Sequence, residues 1–232
     1  MKSIFITATD TEVGKTTIAS GILTMMASTD KNYKVVGFKP IAAGCEWLDG
    51  QWKNEDALAL QQASNLDLNY SLVNPFALKS PIAPHIAAEQ DDIRICSTTL
   101  SQYFEHFKST LADLVVVEGA GGWQLPINET EYLSDWVVSQ KLPVVLVVGL
   151  KLGCINHALL TAMAIKQAGA QLIGWVGNHV DPDMLCQSEN IKSLQHRLGA
   201  PCLGIVPHLN PEQSASEFLD FNLLEKNIFN PA

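Results

Sequence analysis

The sequence predicts an α/β protein built on a doubly wound, mainly parallel sheet with helices on both faces. Short apolar runs alternate along the chain with segments of helical spacing, which is typical of strands buried on both faces and joined by crossover helices. A phosphate-binding type of sequence stands where the first apolar run gives way to the first helical segment. The 232 residues, 47% of them hydrophobic, suffice for one large core.

The predicted elements follow one another without a linker, an internal repeat or a low-complexity tract, so we expect residues 1–232 to form a single domain. The apolar runs predict six strands, at residues 3–8, 35–38, 114–117, 144–148, 172–176 and 203–206. Helical spacing predicts five helices, at residues 16–27, 54–63, 97–111, 155–168 and 189–198. Asn54 and Ser97 are suitable N-cap residues. The proline-rich patch at residues 74–85 is predicted to be a surface excursion.

Charge and cysteine content exclude several classes of protein. The net charge of −9 and the pI near 5.0 disfavour nucleic-acid binding, because a phosphate backbone is repelled. The five cysteines are widely spread and never form a CxxC pair, so neither a disulfide framework nor a zinc knuckle is indicated. The apolar stretch at the N-terminus is too short for a signal peptide, and the longest apolar run, residues 142–150, is about half a membrane span. We therefore expect a cytoplasmic protein that binds neither nucleic acid nor membrane.

The most informative segment is residues 8–17, at the junction of the first strand and the first helix. It resembles a phosphate-binding P-loop, because Gly14, Lys15 and Thr16 supply its parts in order. Backbone N–H groups at the helix start surround phosphate oxygens, the lysine neutralises the β- and γ-phosphates, and the hydroxyl ligates Mg²⁺. The strict consensus has glycine at position 9, where this chain has Thr9, so an ordinary helix start is the alternative.

Three further polar residues fit a nucleotide site, and each also fits a simpler role. Glu118 ends the third predicted strand and Lys39 follows the second, so both belong at the sheet edge where doubly wound folds bind ligands. There Glu118 could hold the metal of a nucleotide, and Lys39 could point into the same crevice; the alternatives are a solvated glutamate and a snorkelling lysine. Asp56 fits a metal ligand or a first-turn residue that complements the helix dipole, and the spacing leaves both open.

The chain resembles the dethiobiotin synthetases, and the resemblance runs over nearly its whole length. Two of the motifs that carry it are not general P-loop features: Asp-Thr-Glu-Val at residues 10–13 and Lys-Leu-Gly-Cys-Ile-Asn-His at residues 151–157. The other supporting motifs are Lys39-Pro40, residues 56–61, Asn74-Pro75, Pro84-His85, residues 117–123, Asp135-Trp136 and residues 146–150.

The resemblance implies a P-loop NTPase-like fold and an ATP- and Mg²⁺-dependent cyclo-ligase. It implies that 7,8-diaminopelargonate, CO₂ or bicarbonate, and ATP give dethiobiotin, ADP and phosphate. A substrate amine takes up CO₂ as a carbamate, the γ-phosphate converts the carbamate to a carbamic–phosphoric anhydride, and the second amine closes the ureido ring. The resemblance also implies a homodimer whose substrate site is completed at the subunit interface.

The resemblance implies a set of site residues, carried over by position. The implied catalytic residues are Lys39, Lys15 and Thr11, and the implied Mg²⁺ ligands are Thr16, Asp56 and Glu118. The implied ATP-binding residues are Glu12, Val13, Gly14, Lys15, Thr16, Thr17, Asp56, Glu118, Gly119, Ala120, Gly121, Asn178, His179, Pro207, His208, Leu209 and Glu212. The implied substrate-binding residues are Lys39, Ala43, Gly153, Cys154, Ile155 and Asn156, of which the last four come from the partner subunit.

The chain departs from the family pattern at four positions, none in the phosphate or metal set. Ala8 stands where the family commonly has glycine, and Ala43 stands where a serine beside the substrate is usual. His179 stands where aspartate commonly follows Asn178, and Asn190 stands where a tyrosine of the partner subunit can reach the substrate. The loss of the hydroxyl at position 43 puts one substrate hydrogen bond in doubt.

Two other functions share the predicted fold. One is another ATP-dependent ligase that acts on a larger acid, but its usual glutaminase domain has no room in 232 residues. The other is a nucleotide-switch ATPase of the partitioning type, which carries a second lysine near the start of the loop, where this chain has Asp10. Membrane-bound switches also end in a basic amphipathic helix, whereas residues 214–229 here are mainly acidic among their charges.

Overall fold

Ten strands lie in the part of the chain that the computed structural model describes, residues 1–229. In chain order they are β1 (Lys2–Ala8), β2 (Val35–Phe38), β3 (Ile41–Ala42), β4 (Glu46–Leu48), β5 (Gln51–Lys53), β6 (Phe76–Ala77), β7 (Leu114–Glu118), β8 (Val144–Gly149), β9 (Leu172–Asn178) and β10 (Cys202–Val206). Six of them form one sheet in the order β10-β9-β8-β1-β7-β2, in which every pair is parallel. β3 pairs with β6 in parallel, and β4 pairs with β5 as an antiparallel hairpin.

Nine α-helices and one 3₁₀ turn occupy the rest of the described chain. The helices are α1 (Lys15–Ala27), α2 (Glu55–Ala63), α3 (Tyr70–Val73), α4 (Pro84–Gln90), α5 (Ser97–Lys108), α6 (Leu133–Ser139), α7 (Cys154–Gln167), α8 (Gln187–Arg197) and α9 (Phe221–Phe229). The 3₁₀ turn is Ala215–Phe218. Within residues 1–229 none of these helices is long and apolar enough to cross a bilayer.

Helices cover both faces of the six-stranded sheet. Alternation along a strand sends successive side chains to opposite faces, and in β7 Val115 and Val117 pack in one core while Val116 packs in the other. The first core also holds residues of α4, α5 and α6, and the second holds residues of α1, α2 and α9. A third cluster lies where α7 and α8 pack on β8 and β9. This double cover explains why the strands are continuous apolar runs.

The predicted fold class is confirmed, and so are all six strands and five helices, with bounds that shift by at most three residues. The N-cap prediction is right for Asn54, whose side chain accepts from the Asp56 amide. It is wrong for Ser97, which is already helical; Cys96 is the N-cap, and its amide donates to the Thr99 hydroxyl. The segment at residues 74–85 contains β6 and the start of α4 rather than irregular chain alone.

The parallel register places the candidate site. Ile6 of β1 lies opposite Glu118 of β7, and Phe38 of β2 lies opposite Val117. The loop after β1, the end of β7 and the residue after β2 therefore meet at one edge of the sheet. This is the carboxyl edge, where ligands bind in open α/β sheets.

Candidate functional site

The loop between β1 and α1 presents backbone N–H groups at the start of a helix. Gly14 is the N-cap of α1, and within the described structure no side chain caps this helix. Its φ of 83° lies in the left-handed region, which favours glycine, and a side chain there would collide with the Asn178 amide. Uncapped N–H groups and the helix dipole together suit an anion such as phosphate.

Residues at the ends of β8 and β9, and in the loop after β8, hold this phosphate loop in place. The amide of Asn178, at the end of β9, donates to the Val13 carbonyl over 2.9 Å. Gly149, at the end of β8, lies so close to Val13 that an added Cβ would stand 2.5 Å from its Cγ1. The Lys151 ammonium donates to Asp10 over 3.0 Å, and this hydrogen bond holds the pKa of Asp10 below its usual value. The loop is thus anchored from two neighbouring strands.

One lysine joins two carboxylates beside the phosphate loop. The Lys39 ammonium lies 2.5 Å from Oε1 of Glu118 and 2.8 Å from Oδ2 of Asp56. The Thr16 hydroxyl donates to the same Oε1 of Glu118 over 2.9 Å. Lys39 and Glu118 are 2% and 0% exposed, so this pair is held away from water, whereas the Asp56 side chain remains 36% exposed. The structure therefore brings together four residues that the sequence predicts for one site, from α1, the end of β2, α2 and β7.

Burial and charge act in opposite directions on the ionisation of this cluster. Burial alone lowers the pKa of Lys39, but Glu118 and Asp56 outweigh it and hold that pKa above its ordinary value. Burial raises the pKa of Asp56, and the neighbouring Lys39 ammonium reverses the shift and holds it below normal. Lys15 carries no comparable pair: burial, and then repulsion from Lys39, lower its pKa. An anion placed between Lys15 and Lys39 would relieve that repulsion.

The donor set fits a magnesium ion that also binds phosphate. Thr16, Asp56 and Glu118 converge as one hydroxyl and two carboxylates, and Mg²⁺ is usually held by one or two carboxylates together with substrate phosphates. Oε2 of Glu118 is buried and has no hydrogen-bond partner within residues 1–229, which leaves one lone-pair site available. In the same range no group of three or more histidine, cysteine or acidic side chains is arranged for a metal. A metal here would therefore need oxygens from a phosphate.

A cleft of about 620 Å³ extends from the start of α1 toward the loop after β10. It is lined by Thr16 and Thr17 at one end and by Leu209 and Gln213 at the other. Leu209 belongs to the segment predicted to hold adenine, together with Pro207, His208 and Glu212, of which His208 and Glu212 are exposed. The side-chain amide of Asn178 instead donates to the phosphate loop, and the His179 amide donates to Val206, while burial lowers the pKa of the His179 ring.

The remaining predicted residues lie around the same edge of the sheet. Thr11 and Glu12 are exposed in the phosphate loop, and the Thr11 amide donates to Asp10. The carbonyl of Gly119 lies 3.4 Å from the Lys39 ammonium, and Ala120 and Gly121 follow it in the loop after β7. Ala43, half-buried after β3, accepts a hydrogen bond from the Asn54 amide.

The start of α7 presents a second uncapped helix N-terminus. Gly153 is its N-cap with a φ of 94°, and within the described residues no side chain caps the helix. Cys154 is buried and Ile155 half-buried, whereas Asn156 is exposed. The structure thus does not bring these predicted substrate residues into contact with Lys39.

Three buried residues that sequence reasoning did not assign to the site support it. Tyr70, Asn74 and Asn54 form hydrogen bonds that end on the backbone of Lys39 and beside Asp56. Asn54 gave a signal as a helix cap, and Asn74 gave one in the Asn-Pro pair. Tyr70 gave none, because its bond from Asn54 spans 16 residues and joins two different elements.

The fold and this edge of the sheet define a P-loop NTPase-like protein. Residues 2–215 match the family described as "AAA domain". The chain is 46% identical over 230 residues to the "ATP-dependent dethiobiotin synthetase BioD" of Pseudoalteromonas translucida, covering 99% of this chain and 100% of that protein. It is 48% identical to the protein of the same name from Cellvibrio japonicus, covering 96% and 97%. The chain belongs to the dethiobiotin synthetase family.

Solved structures of similar shape agree with the fold assignment. A ParA family ATPase from Chlorobium tepidum has a TM-score of 0.56 and 15% identity, covering 90% of this chain and 85% of that chain. MinD in the MinC:MinD cell division complex of Aquifex aeolicus has a TM-score of 0.57 and 18% identity, covering 91% and 83%. At such identities the likeness concerns the fold alone, and the partitioning-type alternative is not favoured.

Proposed function

We propose that this protein is an ATP-dependent dethiobiotin synthetase, with residues 1–232 acting as one ATP-binding domain. The observation that carries the proposal is the 46% identity over 99% of the chain, which spans both the phosphate loop and the start of α7. The buried cluster around Lys39 supports it, because the reaction transfers a phosphoryl group and needs cations at the transferring oxygens. A cytoplasmic location without nucleic-acid or membrane partners stays a prediction of the sequence.

In this proposal ATP binds along the phosphate loop and α1. The N–H groups at the start of α1, from Gly14 to Thr17, and the Lys15 ammonium hold the triphosphate. Glu12 and Val13 shape the loop, and residues 119–121 border it from β7. The adenosine lies toward residues at the end of β9 and after β9 and β10, namely Asn178, His179, Pro207, His208, Leu209 and Glu212. The cleft that reaches from Thr17 to Leu209 supports this placement.

Thr16, Asp56 and Glu118 would hold Mg²⁺. When bound, the ion neutralises charge on the phosphate oxygens. Both carboxylates already contact the Lys39 ammonium, so Lys39 keeps them at the same place and offsets their charge. A second cation beside them is compatible with the cluster because Oε2 of Glu118 is free of protein partners among residues 1–229.

Lys39 and Lys15 stabilise charge during the reaction, and Thr11 acts from the exposed part of the phosphate loop. One amine of diaminopelargonate adds to CO₂ and loses a proton, which gives a carbamate. A carbamate oxygen then attacks the γ-phosphorus, and ADP leaves. The second amine attacks the anhydride carbon, a C–N bond forms, and phosphate leaves as the ring closes. Lys39 is a fixed ammonium within reach of this edge, and its raised pKa keeps it charged at neutral pH.

We propose that the substrate carboxylate binds at the start of α7 of a second copy of the chain. Gly153, Cys154, Ile155 and Asn156 would offer N–H groups to the anion, opposite Lys39 and Ala43 of the first copy. Exposed apolar side chains support an interface here: Leu152 is 93% exposed, Leu160 52% and Met163 50%. Apolar surface of this kind on a helix favours a symmetric contact.

Product analysis tests the function directly. The purified chain is incubated with 7,8-diaminopelargonate, labelled bicarbonate, ATP and Mg²⁺, and the products are identified by mass spectrometry. We expect labelled dethiobiotin together with one ADP and one phosphate per ring closed. Hydrolysis of ATP without labelled product would reject the synthetase and leave an ATPase.

A further inference from the structure

A chain of buried hydrogen bonds runs beneath the Lys39 cluster. The Asn54 amide donates to the Tyr70 hydroxyl over 2.7 Å, and that hydroxyl donates to Oδ1 of Asn74 over 3.0 Å. The Asn74 side-chain amide then donates to the Lys39 carbonyl over 2.8 Å. Tyr70, Asn74 and Asn54 are 7%, 2% and 7% exposed, so water does not compete for these bonds. The direction of these hydrogen bonds is fixed by the two ends, because the Asn54 backbone N–H can only donate and the Lys39 carbonyl can only accept.

The two ends of this hydrogen-bond chain lie on the two residues that pair in the cluster. At one end Asn54 caps α2 and accepts from the Asp56 amide over 3.1 Å, which places the Asp56 carboxylate in the first turn. At the other end the bond holds the Lys39 backbone, whose own amide donates to the Val73 carbonyl over 2.8 Å. The short helix α3 thus carries both contacts, one through Tyr70 and one through Asn74.

We infer that Tyr70 and Asn74 are positioning residues that fix Lys39 and Asp56 relative to each other. Lys39 follows β2 and Asp56 lies on α2, so the six-stranded sheet alone does not join them. A displacement of about 1 Å at a catalytic group costs on the order of a hundredfold in rate. Burial raises the pKa of Tyr70 to about 12, so its hydroxyl stays a donor throughout the working pH range. The same chain reaches the substrate side, because the Asn54 side chain also donates to the Ala43 carbonyl.

The first test compares Tyr70→Phe with Tyr33→Phe. Both substitutions remove one tyrosine hydroxyl with a hydrogen-bond partner, but the Tyr33 hydroxyl donates to Glu225, away from the site. We expect Tyr70→Phe to lower kcat about tenfold or more with KM for ATP within about twofold, because the triphosphate loop is untouched. Tyr33→Phe should leave both constants within about twofold, although it also loses a bond that stabilises the fold.

Amide hydrogen exchange, measured by NMR, gives a readout that does not depend on activity. In Tyr70→Phe the amides of Asn54 and Lys39 should exchange about tenfold faster or more, while the Trp175 amide, bonded to the Pro201 carbonyl, keeps its rate. When its carboxyl is ionised, Asn74→Asp keeps an acceptor for the Tyr70 hydroxyl and loses the donor to the Lys39 carbonyl. It should therefore leave the Asn54 rate unchanged and accelerate Lys39, with a similar loss of kcat.

The outcomes separate the inference from the proposed function on which its kinetic arm rests. The inference is overturned if Tyr70→Phe leaves either the Lys39 exchange rate or kcat within about twofold of wild type, or if Tyr33→Phe lowers kcat equally. If the wild-type chain forms no dethiobiotin, the proposed function fails, and the exchange rates alone then decide whether Tyr70 and Asn74 fix Lys39. Should Tyr70→Phe not fold, Asn74→Asp decides by the same two readouts.

Discussion

The two ends of the proposed reaction site differ in how completely one chain builds them. At the phosphate end Lys39 and Glu118 are almost fully buried and pair with each other, and their other side-chain partners, Asp56 and Thr16, come from two other elements, α2 and α1. At the start of α7, Gly153 and Asn156 are exposed beside Leu152, which is 93% exposed, although Cys154 between them is buried. The phosphate end therefore has preorganised charges, whereas the start of α7 has exposed apolar surface of the kind that is typical of protein interfaces. This contrast agrees with the proposal that ATP chemistry and substrate capture come from different copies of the chain.

The strongest test of this contrast mixes two impaired variants, each substituted at a different end of the site. Lys15→Gln should lower turnover on the order of a hundredfold to a thousandfold, because it removes the buried cation of the phosphate loop. Asn156→Asp should lower it about tenfold or more, because it adds negative charge where an anion binds. Mixed one to one and allowed to exchange subunits, they should return about a quarter of wild-type activity, since each heterodimer keeps one intact composite site. Each variant mixed with itself is the control. Heterodimers that form without any recovery would show that one chain builds the whole site.

The phosphate end is probed by Lys39→Leu. We expect kcat to fall about a hundredfold with KM for ATP within about threefold, because the ammonium acts on charge that develops in the reaction. The variant also leaves the buried Glu118 carboxylate without its cation, which should cost about 3–5 kcal/mol of unfolding free energy when Mg²⁺ is absent. Urea unfolding with and without Mg²⁺ measures this, and Mg²⁺ should restore part of the loss. A change in ATP affinity alone would make Lys39 a binding residue only.

A pair of neighbouring variants sharpens the role of the carboxylates. Asp56→Asn removes charge from the cluster, whereas Glu55→Gln changes an exposed residue one position earlier in the same helix turn. We expect Asp56→Asn to raise the Mg²⁺ concentration for half-maximal activity about tenfold, and Glu55→Gln to leave it within about twofold. Calorimetric titration of Mg²⁺ into the complex with ADP gives the same comparison without turnover. Equal titrations for the two variants would remove Asp56 from the metal set.

The smallest effect concerns the contact that joins the two ends, between Asp10 and Lys151. The hydrogen bond from Lys151 lowers the folded-state pKa of Asp10. Ionised Asp10 therefore stabilises the fold at pH values above its unfolded pKa, near 3.9, and this stabilisation is lost as the pH falls through the lower folded-state pKa. Asp10→Asn should cost less than about 1 kcal/mol at pH 7, because both groups are half-exposed and screened by water. Thermal unfolding as a function of pH should show the two proteins converging as the pH falls through the lowered folded-state pKa of Asp10. A difference that persists there would exclude the ion pair as its cause.

The sequence predicted the large elements well because their causes are local. Continuous apolar runs mark strands covered on both faces, and those strand ends bring Lys39 and Glu118 to one edge without further information. The two-residue strands β3 and β6 left no pattern, since each exists only through pairing with the other. The hairpin of β4 and β5 did carry a local signal, Asp49-Gly50, which sequence reasoning passed over.

Contacts within the site were harder to predict than its members. Asp56 fitted two roles from spacing alone, and only the folded chain places it 2.8 Å from Lys39. Of the supporting bonds at Tyr70, the one from Asn54 spans 16 residues and the one to Asn74 spans four, and neither shows as a pattern of apolar residues. The adenine side is the least determined part, because its residues lie in loops after β9 and β10, where conformation depends on tertiary contacts.

The close approach of Gly149 to Val13 has a consequence for which substitutions the family can accept. A Cβ at position 149 would stand 2.5 Å from Cγ1 and 2.8 Å from Cβ of Val13, and the nearest atom of Val180 would be 3.3 Å away. Even alanine at position 149 would therefore displace Val13 and, with it, the phosphate loop that precedes α1. In a saturation library selected for growth without biotin, position 149 should be nearly as intolerant as position 15, although its residue has no side chain to offer a ligand. At this edge of the sheet, intolerance to mutation would then identify residues that support the phosphate loop sterically as well as residues that take part in the chemistry.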